Sequence, residues 1–178
     1  MPYIPSGSEV LNPKALAEKM GVAEGMTVAD LGCGTQGHFV FPAAHLVGSK
    51  GKVYAVDILK SALSGVESRA KVEEVDNVET VWSDLEVYGG TKVPELDLAM
   101  LINNLPKEPM LKEAARVVKK GGKLVVIDWK PSAAPLGPPS KDRVDKDRIK
   151  NLLISWRFRL TEDFEAGPYH FGLVFVKE

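Results

Sequence analysis

The ten residues Val28-Ala29-Asp30-Leu31-Gly32-Cys33-Gly34-Thr35-Gln36-Gly37 constrain this chain more than any others. They set a carboxylate near the end of an apolar strand and follow it at once with a glycine-rich turn. Glycines there tolerate positive φ and let the backbone approach a ligand with no Cβ in the way, so the segment reads as a nucleotide pocket. Gly32, Gly34 and Gly37 also spell G-x-G-x-x-G, the turn that cradles a dinucleotide pyrophosphate on a helix N-terminus. Asp30 argues for a different ligand. A fixed negative charge two residues before the first glycine repels a diphosphate but suits the cationic amino group of S-adenosylmethionine.

On Asp30-Leu31-Gly32-Cys33-Gly34 the chain resembles the class I S-adenosylmethionine-dependent methyltransferases, whose first motif is an acidic residue, any residue, Gly, any residue, Gly. The run from Gly32 to Phe39 is similar to small bacterial and archaeal members of the broad group that includes quinone-biosynthesis and arsenite methyltransferases. The resemblance extends from about Asn12 to the C-terminus. It implies an α/β fold, a Rossmann-like, doubly wound sheet of seven strands with an antiparallel last strand, and S-adenosylmethionine as cofactor. Arsenite enzymes bind arsenic through several thiolates, and Cys33 is the single cysteine here. That also excludes an internal disulfide and a multi-cysteine metal site.

At 178 residues the chain suits one domain, residues 1–178, with a real core. A hydrophobic fraction of 44% and a charged fraction of 26% are globular values and argue against disorder. The net charge of -1 offers no bulk attraction to nucleic acid. With no signal peptide and no apolar run long enough for a bilayer, a cytoplasmic protein is expected.

Asn12-Pro13 opens and Gly21 closes a short first helix. Strands are expected over Thr27–Leu31, Lys52–Ile58, Val78–Trp82, Leu96–Ile102 and Lys123–Asp128. Helices should run from Gly37 to Val47, after Asp57, and from Pro109 to an end at Lys119-Lys120-Gly121, where cations suit the helix dipole. Only a loop or one turn fits between Asp84 and Leu96. Pro131, Pro135, Pro138 and Pro139 make an exposed loop, followed by a helix on Ile149, Leu152, Leu153 and Trp156. Phe158–Phe164 and Tyr169–Val176 are joined too tightly for a parallel crossover and should form an antiparallel hairpin. A dinucleotide-binding fold would instead end in a parallel strand.

Asp57 ends the second strand, where doubly wound sheets bind ligands. It is placed to bond both ribose hydroxyls, with a helix N-cap as the plain alternative. The resemblance implies that Asp84 accepts the adenine amino group, that the Leu85 backbone N–H faces the ring, and that Gly32, Cys33, Gly34, Ile58 and Asn103 line the rest of the cofactor. Cys33 reads equally as a small packing residue. Asn103 and Asn104 follow the fourth strand without the Pro-Pro-aromatic sequence of amino-methylating enzymes, and Asn104 reads also as a turn former. Trp129 and Lys130 would face the acceptor, or Trp129 would cap the core. His38 and His170 read as surface or packed histidines, and the mixed-sign run Lys141–Arg148 as a solvated face.

The expected activity is in-line methyl transfer to a small-molecule acceptor, for which no metal and no dedicated base is needed. Three readings compete: an RNA methyltransferase, a non-catalytic S-adenosylmethionine-binding protein, and an NAD-dependent oxidoreductase. The acceptor should touch Tyr3–Ser8, Asn104 and the proline-rich loop. Oligomeric state has no signature in the sequence.

Overall fold

A computed structural model describes residues 10–132 and 135–178; the Tyr3–Ser8 segment expected at the acceptor lies outside them. One sheet holds seven strands in the order β3-β2-β1-β4-β5-β7-β6. These are β1 Thr27–Leu31, β2 Lys52–Asp57, β3 Val78–Trp82, β4 Leu96–Ile102, β5 Val118–Trp129, β6 Phe158–Gly167 and β7 His170–Lys177. The first five are parallel. β7 runs antiparallel between β5 and β6, as the methyltransferase resemblance implies and unlike the parallel ending of a dinucleotide fold.

Alternation along the strands sends side chains to two separate cores. Val28, Val53, Met100, Val125 and Val174 meet helices α1 (Pro13–Met20), α2 (Val40–Val47) and α3 (Lys60–Val72) on one face. Ala29, Leu31, Leu101, Val126 and Leu173 meet α4 (Glu108–Val117) and α5 (Lys146–Ser155) on the other. With both faces covered, β4 is apolar except for Asp97. Asp97 is tolerated because its Oδ2 accepts the Thr27 N–H at 2.7 Å and Lys119 pairs with its Oδ1.

The structure corrects four boundaries. α2 begins at Val40 rather than Gly37, because Gly37 adopts φ 55° and Gly37–Phe39 stay in a turn. β2 stops at Asp57, leaving Ile58 in the following bend. α4 ends at Val117, not at Lys119–Gly121, because Val118 already pairs with Leu96. Gly121, at φ 77°, then carries a bulge that returns the strand to register at Leu98↔Lys123. The cation at the C-terminus of α4 is Lys177, whose Nζ donates to the Ala115 and Val118 carbonyls at 2.8 and 2.7 Å. The hairpin is longer than expected, with Pro168 and Tyr169 alone between β6 and β7.

No helix joins β3 to β4. Instead Glu113 of α4, fully buried, holds that loop. Its carboxylate accepts the Gly89 and Thr91 N–H groups at 2.7 and 2.8 Å and a forked pair from Arg116 at 2.7 and 2.9 Å. Despite its burial, those donors hold Glu113 at a pKa of about 2, below the usual 4.5. Such a group stabilises the fold above about pH 4.5 and loses that contribution as the pH falls toward 2. Glu113→Gln should therefore lower unfolding free energy by about 1–3 kcal/mol at pH 7. Urea denaturation should show the gap to wild type narrowing as the pH falls below 4.5.

Candidate functional site

The site lies at the carboxyl ends of β1, β2, β3 and β4. There Asp30 is 3% exposed, and its carboxyl group makes no hydrogen bond or ion pair among the described residues. Burial first, and the neighbouring Asp57 second, push its pKa up to about 7. The glycine turn begins two residues later, where the N–H groups of Gly32 and Cys33 both donate to the Val56 carbonyl at 2.7 and 3.0 Å. Gly32 has φ 82°, and a Cβ there would fall 2.1 Å from Asn104 Oδ1. Gly34, at φ 64°, faces open space. The first glycine thus admits a neighbouring side chain, and the second leaves room for a ligand. Behind the turn, Gly65 of α3 lets the Thr35 backbone approach, since a Cβ at Gly65 would lie 2.7 Å from the Thr35 oxygen.

Asp57 belongs to the same wall. Its Oδ2 accepts the Gly34 N–H and its Oδ1 the Leu59 N–H, each at 2.9 Å, so it fixes both the glycine turn and the entry to α3. The N-cap position itself is Leu59. Gly32, Asp57, Ile58, Asp84, Leu85 and Asn104 line a cleft of about 280 Å³. Ile58 is half exposed at its rim and Leu85 is buried at its base. Asp84 accepts the Glu86 N–H at 2.9 Å, and Ser83 is hydrogen-bonded to Thr91, which ties the cleft to the loop that Glu113 anchors.

After β4 the backbone is strained, with Asn103 at φ 56° and Leu105 at φ 48°. Left-handed conformations raise the energy of side-chain-bearing residues, and a cluster of them needs something to enforce it. The enforcing group is Asp128 at the end of β5, which is fully buried. Its two oxygens accept the Leu105 and Trp129 N–H groups at 2.9 and 2.8 Å. Burial lifts its pKa to about 6, with the backbone donors at Trp129, Leu105 and Asn104 opposing that rise. Asn104 completes the turn by donating to the Leu31 and Ile102 carbonyls, so its amide has the structural task that its turn propensity suggests.

Asp30, Gly32, Cys33, Gly34, Asp57, Ile58, Asp84, Leu85 and Asn103 thus share one end of the sheet. Cys33 is buried, and burial with Asp30 and Asp57 pushes its thiol far above the ordinary range, which disfavours the thiolate. His38 sits partly buried in the turn before α2. Trp129 is buried at the end of β5, against His170. Asp128, Glu113 and Gly65 carried no functional reading in the sequence. The available signal for Asp128 was an acidic residue closing an otherwise apolar strand.

Among the described residues no helix is long and apolar enough to cross a membrane, and no cluster of His, Cys, Asp and Glu could hold a metal. The helix after the glycine turn, α2, begins at Val40, three residues beyond Gly37.

A family model described as a methyltransferase domain matches residues 23–152. A crystal structure of a SAM-dependent methyltransferase from Aquifex aeolicus superposes with a TM-score of 0.85 at 27% identity, covering 98% of this chain and 94% of that one. A demethylmenaquinone methyltransferase of Lactococcus lactis is 29% identical over 67% of this chain and 48% of its own length. A ubiquinone/menaquinone biosynthesis C-methyltransferase of Escherichia fergusonii is 34% identical over 65% of this chain and 48% of its own. The chain thus spans about half the length of the curated relatives it matches.

A buried carboxyl with a raised pKa destabilises the fold as the pH climbs. For Asp30 the loss accumulates from its ordinary 3.8 to about 7, because over that interval the folded chain binds the proton more tightly. Asp30→Asn should therefore be more stable than wild type at pH 8 by about 1–3 kcal/mol and nearly equal to it at pH 4. Ligand-free thermal melts at the two values measure this.

Proposed function

Since the chain belongs to the class I S-adenosylmethionine-dependent methyltransferases, we propose that its cleft holds the cofactor by two carboxylates, and that the activated methyl passes to a small aromatic or lipophilic molecule. The observation that carries the first half is Asp30. A carboxyl that burial and a like charge hold partly protonated near neutral pH becomes an ion receptor once a cationic amino group stands beside it.

The residues present fit the cofactor. Each oxygen of Asp57 takes one backbone N–H and keeps acceptor capacity for ribose hydroxyls. The open space at Gly34 leaves room for the same part of the ligand. Asp84 supplies an acceptor for the adenine amino group, and the Ile58 and Leu85 side chains enclose its ring. Cys33 and Asn103 flank the methionine part.

When bound, S-adenosylmethionine supplies a methyl group already activated by positive sulfur. The protein's share is then alignment and exclusion of water. Asp128 contributes by locking the Asn103–Leu105 turn. For the acceptor, the support comes from the quinone-pathway names of the two curated relatives and from a net charge of -1, which offers RNA no bulk attraction.

Asp57→Ala should weaken S-adenosylmethionine binding by about 1–3 kcal/mol, and Asp30→Asn by a similar amount, although the latter substitution leaves the ligand-free fold more stable. Isothermal titration calorimetry measures both. Unchanged affinity would remove that residue from the site, and tighter binding of NAD than of S-adenosylmethionine would overturn the assignment.

A further inference from the structure

We propose that His170, packed against Trp129, is the hydrogen-bonding partner of the methyl acceptor, and that the pair selects an aromatic ring bearing a hydroxyl group. The inference rests on the cofactor reading above and extends it to the second substrate.

Its basis is a polar side chain with nothing to bond. His170 is fully buried, yet neither Nδ1 nor Nε2 has a hydrogen-bond partner among the described residues. Buried polar groups are almost always paired, so an orphan of this kind calls for a ligand or water. The ring is not lost in the middle of the core. His170 opens β7 opposite Trp129, the last residue of β5, so both stand at the ligand-binding edge of the sheet. By strand alternation Trp129 shares the face of Val125 and Ile127, which is also the face of Asp30.

What covers the pair is loop. A Cβ on Gly167 would lie 3.2 Å from Leu11 Cδ2 and 4.0 Å from His170 Nδ1, so the start of the described chain passes beside the imidazole. On the other side Gly137 of the proline-rich loop lies so close to the Trp129 ring that a Cβ would come within 2.6 Å. Arg143 holds that loop, donating to the Lys130, Ser132, Leu136 and Pro138 carbonyls while its guanidinium lies 5.4 Å from the Trp129 ring. The pair therefore lies beside the proline-rich loop, one of the segments that the sequence assigns to the acceptor.

The chemistry of the pair defines the ligand. Burial, Arg143 and Lys130 all oppose protonation and bring the His170 pKa down to about 4, so the imidazole is neutral. Lys130 is itself paired with Glu165. A neutral imidazole offers one donor and one acceptor, which a hydroxyl can satisfy as donor or acceptor. With so low a basicity His170 orients the hydroxyl and does not take its proton. The Trp129 ring, 4.2 Å from the imidazole centroid and tilted by 41°, favours a flat partner.

The probes are 1-naphthol and 1-methoxynaphthalene, which differ by a hydroxyl donor, titrated into the chain saturated with S-adenosylhomocysteine. We expect 1-naphthol to bind about tenfold more tightly, and to shift one imidazole nitrogen of His170 in 15N-histidine spectra. The chain has three histidines, which makes that signal assignable. His170→Phe should bind the two probes equally, and His170→Gln should recover part of the preference. Equal affinities in wild type, no binding of either probe, an unmoved His170 signal, or a preference retained in His170→Phe would each overturn the inference. The spectrum of the wild-type chain decides the matter even if His170→Phe does not fold. Failure of S-adenosylhomocysteine to bind at all would count against the cofactor reading instead.

Discussion

Asp30 stands where β1 gives way to the glycine turn, with the Asp57 charge acting on it, and both its burial and that neighbour work against ionisation. Other acidic groups close to the ligand edge are bonded to the chain. Asp57 takes two backbone N–H groups, Asp128 takes two, Glu113 two and an arginine, and Asp84 one. Those carboxylates fix irregular segments that no helix or strand ladder could hold. Asp30 alone among them holds nothing, and its energy is raised for want of a cation.

The same division explains how a sheet with a missing crossover helix keeps a defined cleft. Between β3 and β4 the chain bends back through short turns, and a single buried glutamate on α4 takes the place of helix packing. After β4, Asp128 accepts the Leu105 N–H and so holds the turn in which Asn103 and Leu105 take left-handed backbone. Ligand-facing loops are thus fixed from beneath, through main-chain donors, and their outward faces stay available. Such preorganisation is what an in-line transfer requires, because misalignment of the reacting atoms is costly and the methyl donor needs little further activation.

Strand positions were readable because the driving pattern is local: β4 falls where its apolar run falls, and the tight link before Tyr169 forces an antiparallel partner. The cofactor wall was readable too, since the carboxylates close successive strands, and a strand end is a position visible in one dimension. What escaped depends on contacts across many residues. Glu113 reaches back 24 residues to Gly89, and Lys177 crosses 62 to cap the helix at Ala115. The early end of α4 followed from Val118 pairing with Leu96, where strand pairing overrode a sequence that would have continued a helix. Asp128 looks, in sequence, like any polar residue leaving a strand.

The central claim is that two buried carboxylates form a receptor for a cation, and proton counting tests it most directly. Calorimetric titrations of S-adenosylmethionine at pH 7, in buffers of differing ionisation enthalpy, give the protons exchanged on binding. Because Asp30 is poised at about 7 in the free chain, the account predicts release of about half a proton per site, falling toward zero in Asp30→Asn. Binding without proton release, or with the same release in the variant, would contradict it.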